Sequence, residues 1–132
     1  MARVLLLTAD LLFGSRVQGQ LQAAGEQVEL TGDPARVRAL LAREQAAGGQ
    51  QADAPAPEVL VVDLTDAALG GLELVASLQG RSHARTLGFY SHVEVQTRER
   101  AERAGFELIV PRSRMAREGA ALVAGLAASG PR

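Results

Sequence analysis

Short apolar runs alternate along the chain with segments whose apolar residues recur every three or four positions. Val4-Leu5-Leu6-Leu7 opens the series, and Val59-Leu60-Val61-Val62 is a second, β-branched run. Leu87-Gly88-Phe89-Tyr90 and Leu108-Ile109-Val110 are shorter runs of the same kind. Unbroken apolar runs of this length predict strands buried on both faces, as in a parallel sheet. Gln27-Val28-Glu29-Leu30 alternates instead, which predicts an edge strand.

The segments between these runs carry helical spacing. Leu12, Arg16, Val17, Leu21 and Ala24 predict a first helix, stopped by Gly25. Asp33 caps a second helix with Pro34 in its first position, and Val37, Leu40 and Leu41 form its stripe. Leu72, Val75 and Leu78 mark a third, closed by Gly80. Residues 93–104 predict a fourth, highly charged helix closed by Gly105. Ser113 is expected to cap a fifth, with Ala116, Ala120, Val123 and Leu126 facing inward. Residues 46–57, rich in Gly, Gln, Ala and Pro, read as a flexible loop, and residues 129–132 as a frayed tail.

Strict alternation of strand and helix predicts an α/β fold, a five-stranded parallel sheet with helices on both faces. Right-handed crossovers favour the strand order 2-1-3-4-5. At 132 residues this is a single domain, residues 1–132, which buries roughly two thirds of its unfolded surface.

Composition narrows the chemistry. The formal net charge is −1, which argues against nucleic acid and anionic membranes as partners. Neither a membrane span nor a signal peptide is legible, so a cytoplasmic location is expected. Without cysteine, thiol catalysis, disulfides and cysteine metal sites fall away. All 14 basic residues are Arg, so any mechanism needing a lysine amine is excluded. No glycine-rich phosphate loop, HExxH motif or nucleophile elbow occurs, so the chain is not expected to be an enzyme.

In doubly wound sheets the functional groups gather at the carboxyl ends of the strands. Strand one ends in Thr8-Ala9-Asp10, strand three in Asp63, strand four in Ser91-His92 and strand five in Pro111-Arg112-Ser113. Asp63, Ser91 and Arg112 are therefore expected to converge on one shallow pocket, with Asp10 nearby. His92 has no legible partner and reads as a loop residue. Arg112 and Arg114 at a helix start would suit an anion, while a simple cap with solvated arginines is the plainer reading.

The segment Val59 to Leu64, followed by Gly71-Leu72-Glu73-Leu74, resembles the phosphoacceptor strand and following loop of response-regulator receiver domains, which have a flavodoxin-like fold. The Gly105 junction before strand five matches the same family. The resemblance implies that Asp63 holds the phosphoacceptor position and Ser91 the hydroxyl position. The family's acidic pair, which helps to hold Mg²⁺, would fall on Thr8 and Ala9, and neither is acidic. The family's strand-five lysine has no counterpart, and Arg112 could stand in for its charge. Only Asp10 and Asp63 remain as carboxylates for Mg²⁺, a weak site.

The resemblance thus implies a stand-alone, degenerate receiver acting through a protein partner, without a cofactor and without efficient Mg²⁺-dependent phosphorylation. Receivers often pair through their fourth and fifth helices, so Arg100 and Arg103 are a candidate interaction face and a homodimer is one form of partnership. Two alternatives stay open: an active single-domain response regulator phosphorylated on Asp63 by a histidine kinase, and a binder of small anions or nucleotides at the sheet's carboxyl edge.

Overall fold

A computed structural model describes residues 2–46, 57–91 and 95–130. Strand β1 (Arg3–Leu7) leads through α1 (Leu11–Ala23) to β2 (Gln27–Thr31) and α2 (Pro34–Ala46). Then follow β3 (Val59–Asp63), a 3₁₀ turn (Ala67–Leu69), α3 (Gly71–Leu78) and β4 (Arg85–Tyr90). The chain continues through α4 (Val95–Ala104) and β5 (Leu108–Pro111) to α5 (Arg112–Ala128). The five strands are parallel in the order β2-β1-β3-β4-β5, as the alternation predicts.

The unbroken apolar runs follow from covering both faces. Successive strand side chains point to opposite sides of the sheet. Val4, Leu6, Val59, Val61, Leu87, Phe89 and Val110 pack on one side with Phe13, Val17 and Leu21 of α1 and Met115 and Val123 of α5. Leu5, Leu7, Leu60 and Val62 pack on the other with Val37 and Leu41 of α2, Leu74 and Val75 of α3, and Ala101 and Ala104 of α4. Helix α4 thus contributes only two alanines to the core.

Two glycines let helices approach the sheet closely. A Cβ on Gly71 would lie 2.5 Å from Val62 Cγ1, so α3 crosses β3 only because that position lacks one. A Cβ on Gly14 would lie 2.8 Å from Thr8 Cγ2 and 2.9 Å from Leu30 Cδ1. Gly14 therefore packs its bare Cα against both the Thr8 methyl and the Leu30 side chain.

The structure corrects two helix readings. Leu12 is 84% exposed, and the buried stripe of α1 is Phe13, Val17 and Leu21, at a clean four-residue interval. Ser113 does not cap α5: the helix starts at Arg112, the cap position is Pro111, and no side chain caps it. Proline's fixed φ and missing N–H suit the extended end of β5, so strand passes directly into helix. The 3₁₀ turn was not anticipated. It is held by the Asp66 carboxylate, which accepts from Ala68 N–H, and by Gly70 at φ +73°. Most of the expected 46–57 loop lies outside the described residues, as do His92 and the final two residues. At the opposite edge from the strand ends, Arg85 donates to the Ser129 and Gly130 carbonyls and to Glu107, tying the end of α5 to the sheet.

Candidate functional site

The chain's switch point lies between β1 and β3, the central strands from which the crossovers run in opposite directions. Leu7 is paired with Val62, so one further step along both strands brings Thr8 beside Asp63. Asp63 is itself in register with Phe89 on β4, and Leu64 N–H donates to the Phe89 carbonyl at 2.8 Å. The acidic side chain is thereby fixed over the sheet's centre.

Asp63 is not presented to solvent. It is 4% exposed, and Thr8 beside it is wholly buried. The Thr8 hydroxyl donates to Asp63 Oδ2 at 2.6 Å, and Thr65 N–H donates to Oδ1 at 2.8 Å. Both carboxylate oxygens are thus hydrogen-bonded, the first by a short bond of the strength expected with a charged acceptor. The Thr8 oxygen in turn accepts Asp10 N–H at 3.1 Å. With its methyl packed against Gly14, Thr8 is held with its hydroxyl toward Asp63.

Asp10 has a different employment. Its Oδ1 accepts Phe13 N–H at 3.0 Å, making it the N-cap of α1, and its Oδ2 pairs with Arg112 Nη2 at 2.7 Å. The Phe13 N–H bond holds the Asp10 carboxyl below its ordinary value, with the Arg112 guanidinium acting in the same direction against a burial effect that raises it. A carboxylate is also favoured at the positive end of the α1 dipole.

Arg112 completes a second cluster. Its guanidinium carbon lies 4.1 Å from the centre of the Phe13 ring, a cation–π distance. The Phe13 ring lies 5.2 Å from that of Phe89, tilted by 48°. One arginine therefore joins the start of α5 to the start of α1, and Phe13 carries the contact on to β4.

Asp63, Ser91 and Arg112 are not joined to one another by hydrogen bonds or ion pairs among the described residues. Arg112 pairs with Asp10 and lies over Phe13, while both oxygens of Asp63 have other donors. Ser91 lies exposed at the end of β4, and no hydrogen bond joins it to Asp63 or Arg112 among the described residues. The strand ends carry two adjoining clusters instead, Thr8–Asp63 and Asp10–Arg112–Phe13, linked through the Asp10 N–H. Sequence reading did not find Asp10 as a cap, although an Asp directly before an apolar helical segment is the usual signal for one.

Mg²⁺ does not fit these residues. It needs oxygens free to coordinate, commonly one or two carboxylates. Here Asp63 and Asp10 have their oxygens engaged by Thr8, Thr65, Phe13 and Arg112, and a hydroxyl stands where the resemblance requires an acid. Among the described residues no three His, Asp or Glu side chains gather as a metal group.

Arg100 and Arg103 lie elsewhere. With Ala104 of α4 they face Leu72, Glu73 and Ala76 of α3 across an open groove. A second hollow, lined by Leu64, Thr65 and Asp66 among others, shares Leu72, Glu73 and Arg100 with it and opens at the strand ends. No helix among the described residues is long and apolar enough to cross a membrane.

No family model matches the sequence, and no curated protein matches it. Solved structures do. A CheY-like response-regulator receiver domain from Methanospirillum hungatei superposes with a TM-score of 0.78 over 98% of this chain and 95% of its own, at 12% identity. The receiver domain of the response regulator NarL from Mycobacterium tuberculosis gives 0.70 over 96% and 95%, at 21% identity. A protein described as pilus-assembly-related, from Burkholderia pseudomallei, gives 0.74 over 97% and 90%, at 19% identity. Identities this low speak to fold alone. The strand order, the helices on both faces and the near-complete coverage agree throughout, and the chain has the CheY-like, flavodoxin-type fold of response-regulator receiver domains.

Proposed function

We propose that this domain is a degenerate receiver that signals by protein–protein contact and not by Mg²⁺-dependent phosphorylation. The observation that carries the reading is the 2.6 Å bond from the Thr8 hydroxyl to Asp63 Oδ2 at a carboxylate only 4% exposed. Phosphoryl transfer depends on positioning and on charge stabilisation at the acceptor oxygen. At Asp63 the attacking oxygen would first have to lose its donor, and Asp10, taken up by Phe13 N–H and Arg112, is poorly set to share a metal that would offset the charge of the incoming group. The arginine that could replace the missing lysine is turned to Asp10. In this reading the acceptor position has become a structural tie across β1 and β3, and the domain is not an enzyme.

The test is intact mass after incubation with Mg²⁺ and a small phosphodonor, wild type beside Asp63→Asn. No adduct on folded, monodisperse wild-type protein is expected. A single phosphoryl group on wild type that is absent from Asp63→Asn would overturn the reading and make the chain a working receiver.

A further inference from the structure

Helix α4 is unusual among the five. Its sequence, Val95 to Ala104, carries Arg98, Arg100 and Arg103 with Glu99 and Glu102, and only Ala101 and Ala104 are buried. Arg100 and Arg103 are three positions apart, so they share one face of the helix. That face looks across the groove to α3. The groove is wide enough to remain open because the residues at its base and far wall, Ala104 and Ala76, are small, and Leu72 is only half buried there.

The charges along this groove do not balance internally. Arg98 pairs with Glu102 at 3.5 Å along the helix, away from the groove residues. Among the described residues Arg100 reaches only Glu73, at 3.9 Å, with both side chains more than half exposed. A pair that long and that wet contributes little and is readily exchanged. Arg103 has no carboxylate within ion-pair distance among the described residues; only its backbone carbonyl is engaged, by Gln79 Nε2 at 2.9 Å. That bond, at the C-terminal end of α4, fixes the helix without using the guanidinium. Two arginines thus flank an apolar strip, one weakly paired and one without an ion pair among the described residues.

We propose that the α3–α4 groove docks an acidic, amphipathic peptide segment of a protein partner. The partner's carboxylates meet Arg100 and Arg103, displacing Glu73 from Arg100, and an apolar side chain lies on Leu72, Ala76 and Ala104. Nucleic acid is the poorer match, because the chain's net charge is −1 and a phosphate backbone would leave the apolar strip of Leu72, Ala76 and Ala104 uncovered. The inference rests on the proposed function, since a domain working by contact needs a contact surface, and it gives that surface a place and a chemistry.

A random peptide library displayed on phage, selected against the full immobilised chain, tests it. Peptides enriched in Asp or Glu beside Leu, Ile or Phe are expected. A synthetic copy of the leading peptide should bind Arg100→Glu/Arg103→Glu about tenfold or more weakly. Its affinity should also fall as salt is raised. Both arginines are exposed, so the variant should keep its thermal midpoint, which is measured alongside. Failure to enrich any peptide, enrichment without acidic residues, or equal binding to the charge-reversed variant overturns the proposal. The selection uses no phosphodonor, so its failure leaves the reading of Asp63 standing. Conversely, phosphoryl uptake at Asp63 would leave a groove result intact, and Asp63→Asn should bind the peptide like wild type.

Discussion

Thr8→Val is the sharpest probe of the site. Valine keeps the branched shape that packs against Gly14, so packing should survive. What is lost is the hydroxyl. Asp63 Oδ2 then loses its donor at a position 4% exposed, and Asp10 N–H loses its acceptor at 3.1 Å. A buried hydrogen bond to a charged group is worth about 1.5–3 kcal/mol, and an abandoned partner adds its own desolvation cost. A net loss of about 2–3 kcal/mol is expected, or roughly 7–11 °C in thermal midpoint for a domain of this size. Urea denaturation followed by circular dichroism measures it. The decisive form is a double-mutant cycle with Asp63→Ala, in which Thr8→Val should cost at least about 1 kcal/mol less than in wild type. A cost below about 0.5 kcal/mol, or additivity within that margin, would show that the hydroxyl does not hold Asp63. The idea of a structural tie would then fail with it.

Two further outcomes follow from the same geometry. Asp10 is held below its ordinary value of 3.8, so its folded-state contribution is fully present above that pH and is lost as pH falls through the lowered folded value. Asp10→Asn should therefore flatten the acid limb of the stability–pH profile in that window, and an unchanged limb in equilibrium unfolding would contradict the cap and ion-pair assignment. Gly71→Ala, a change that helix propensity favours, should instead destabilise by about 1–3 kcal/mol because the new Cβ meets Val62; a neutral or raised unfolding midpoint would refute the close approach of α3 to β3.

The architecture was legible because it is written in adjacent residues. Leu5 and Leu7 serve one face of the sheet while Val4 and Leu6 serve the other, so the run has to be apolar throughout, and its length bounds the strand. The phase of α1 was less legible. Leu12 and Phe13 are adjacent apolar residues, and periodicity alone admits either as the first of the stripe. The choice is made by Asp10, which caps through Phe13 N–H, and by the Phe13 ring, which needs both Phe89 and Arg112 as neighbours. The 3₁₀ turn was lost for a similar reason, since a single Asp–Gly bracketed turn has no period to read.

The site divides in the same way. Which residues reach the carboxyl edge follows from where each strand ends, so Thr8, Asp10, Asp63, Ser91 and Arg112 could be placed there from sequence. Which of them bond to each other does not follow. The partners of Asp63 are Thr8 and Thr65, two residues that carry no charge to betray them, while Arg112 pairs with Asp10. Thr8 in turn points correctly only because position 14 lacks a Cβ, six residues away on a different element. The absence of an acid at Thr8 was visible as a defect in a metal site. Its positive role, a donor to Asp63, required the distance of 2.6 Å to be seen. A receiver that loses its metal-binding acid by substitution to a bare apolar residue would leave a buried carboxylate short of a partner. Threonine at that position supplies the donor that an apolar residue would not, and this is what lets a carboxylate stay buried at Asp63.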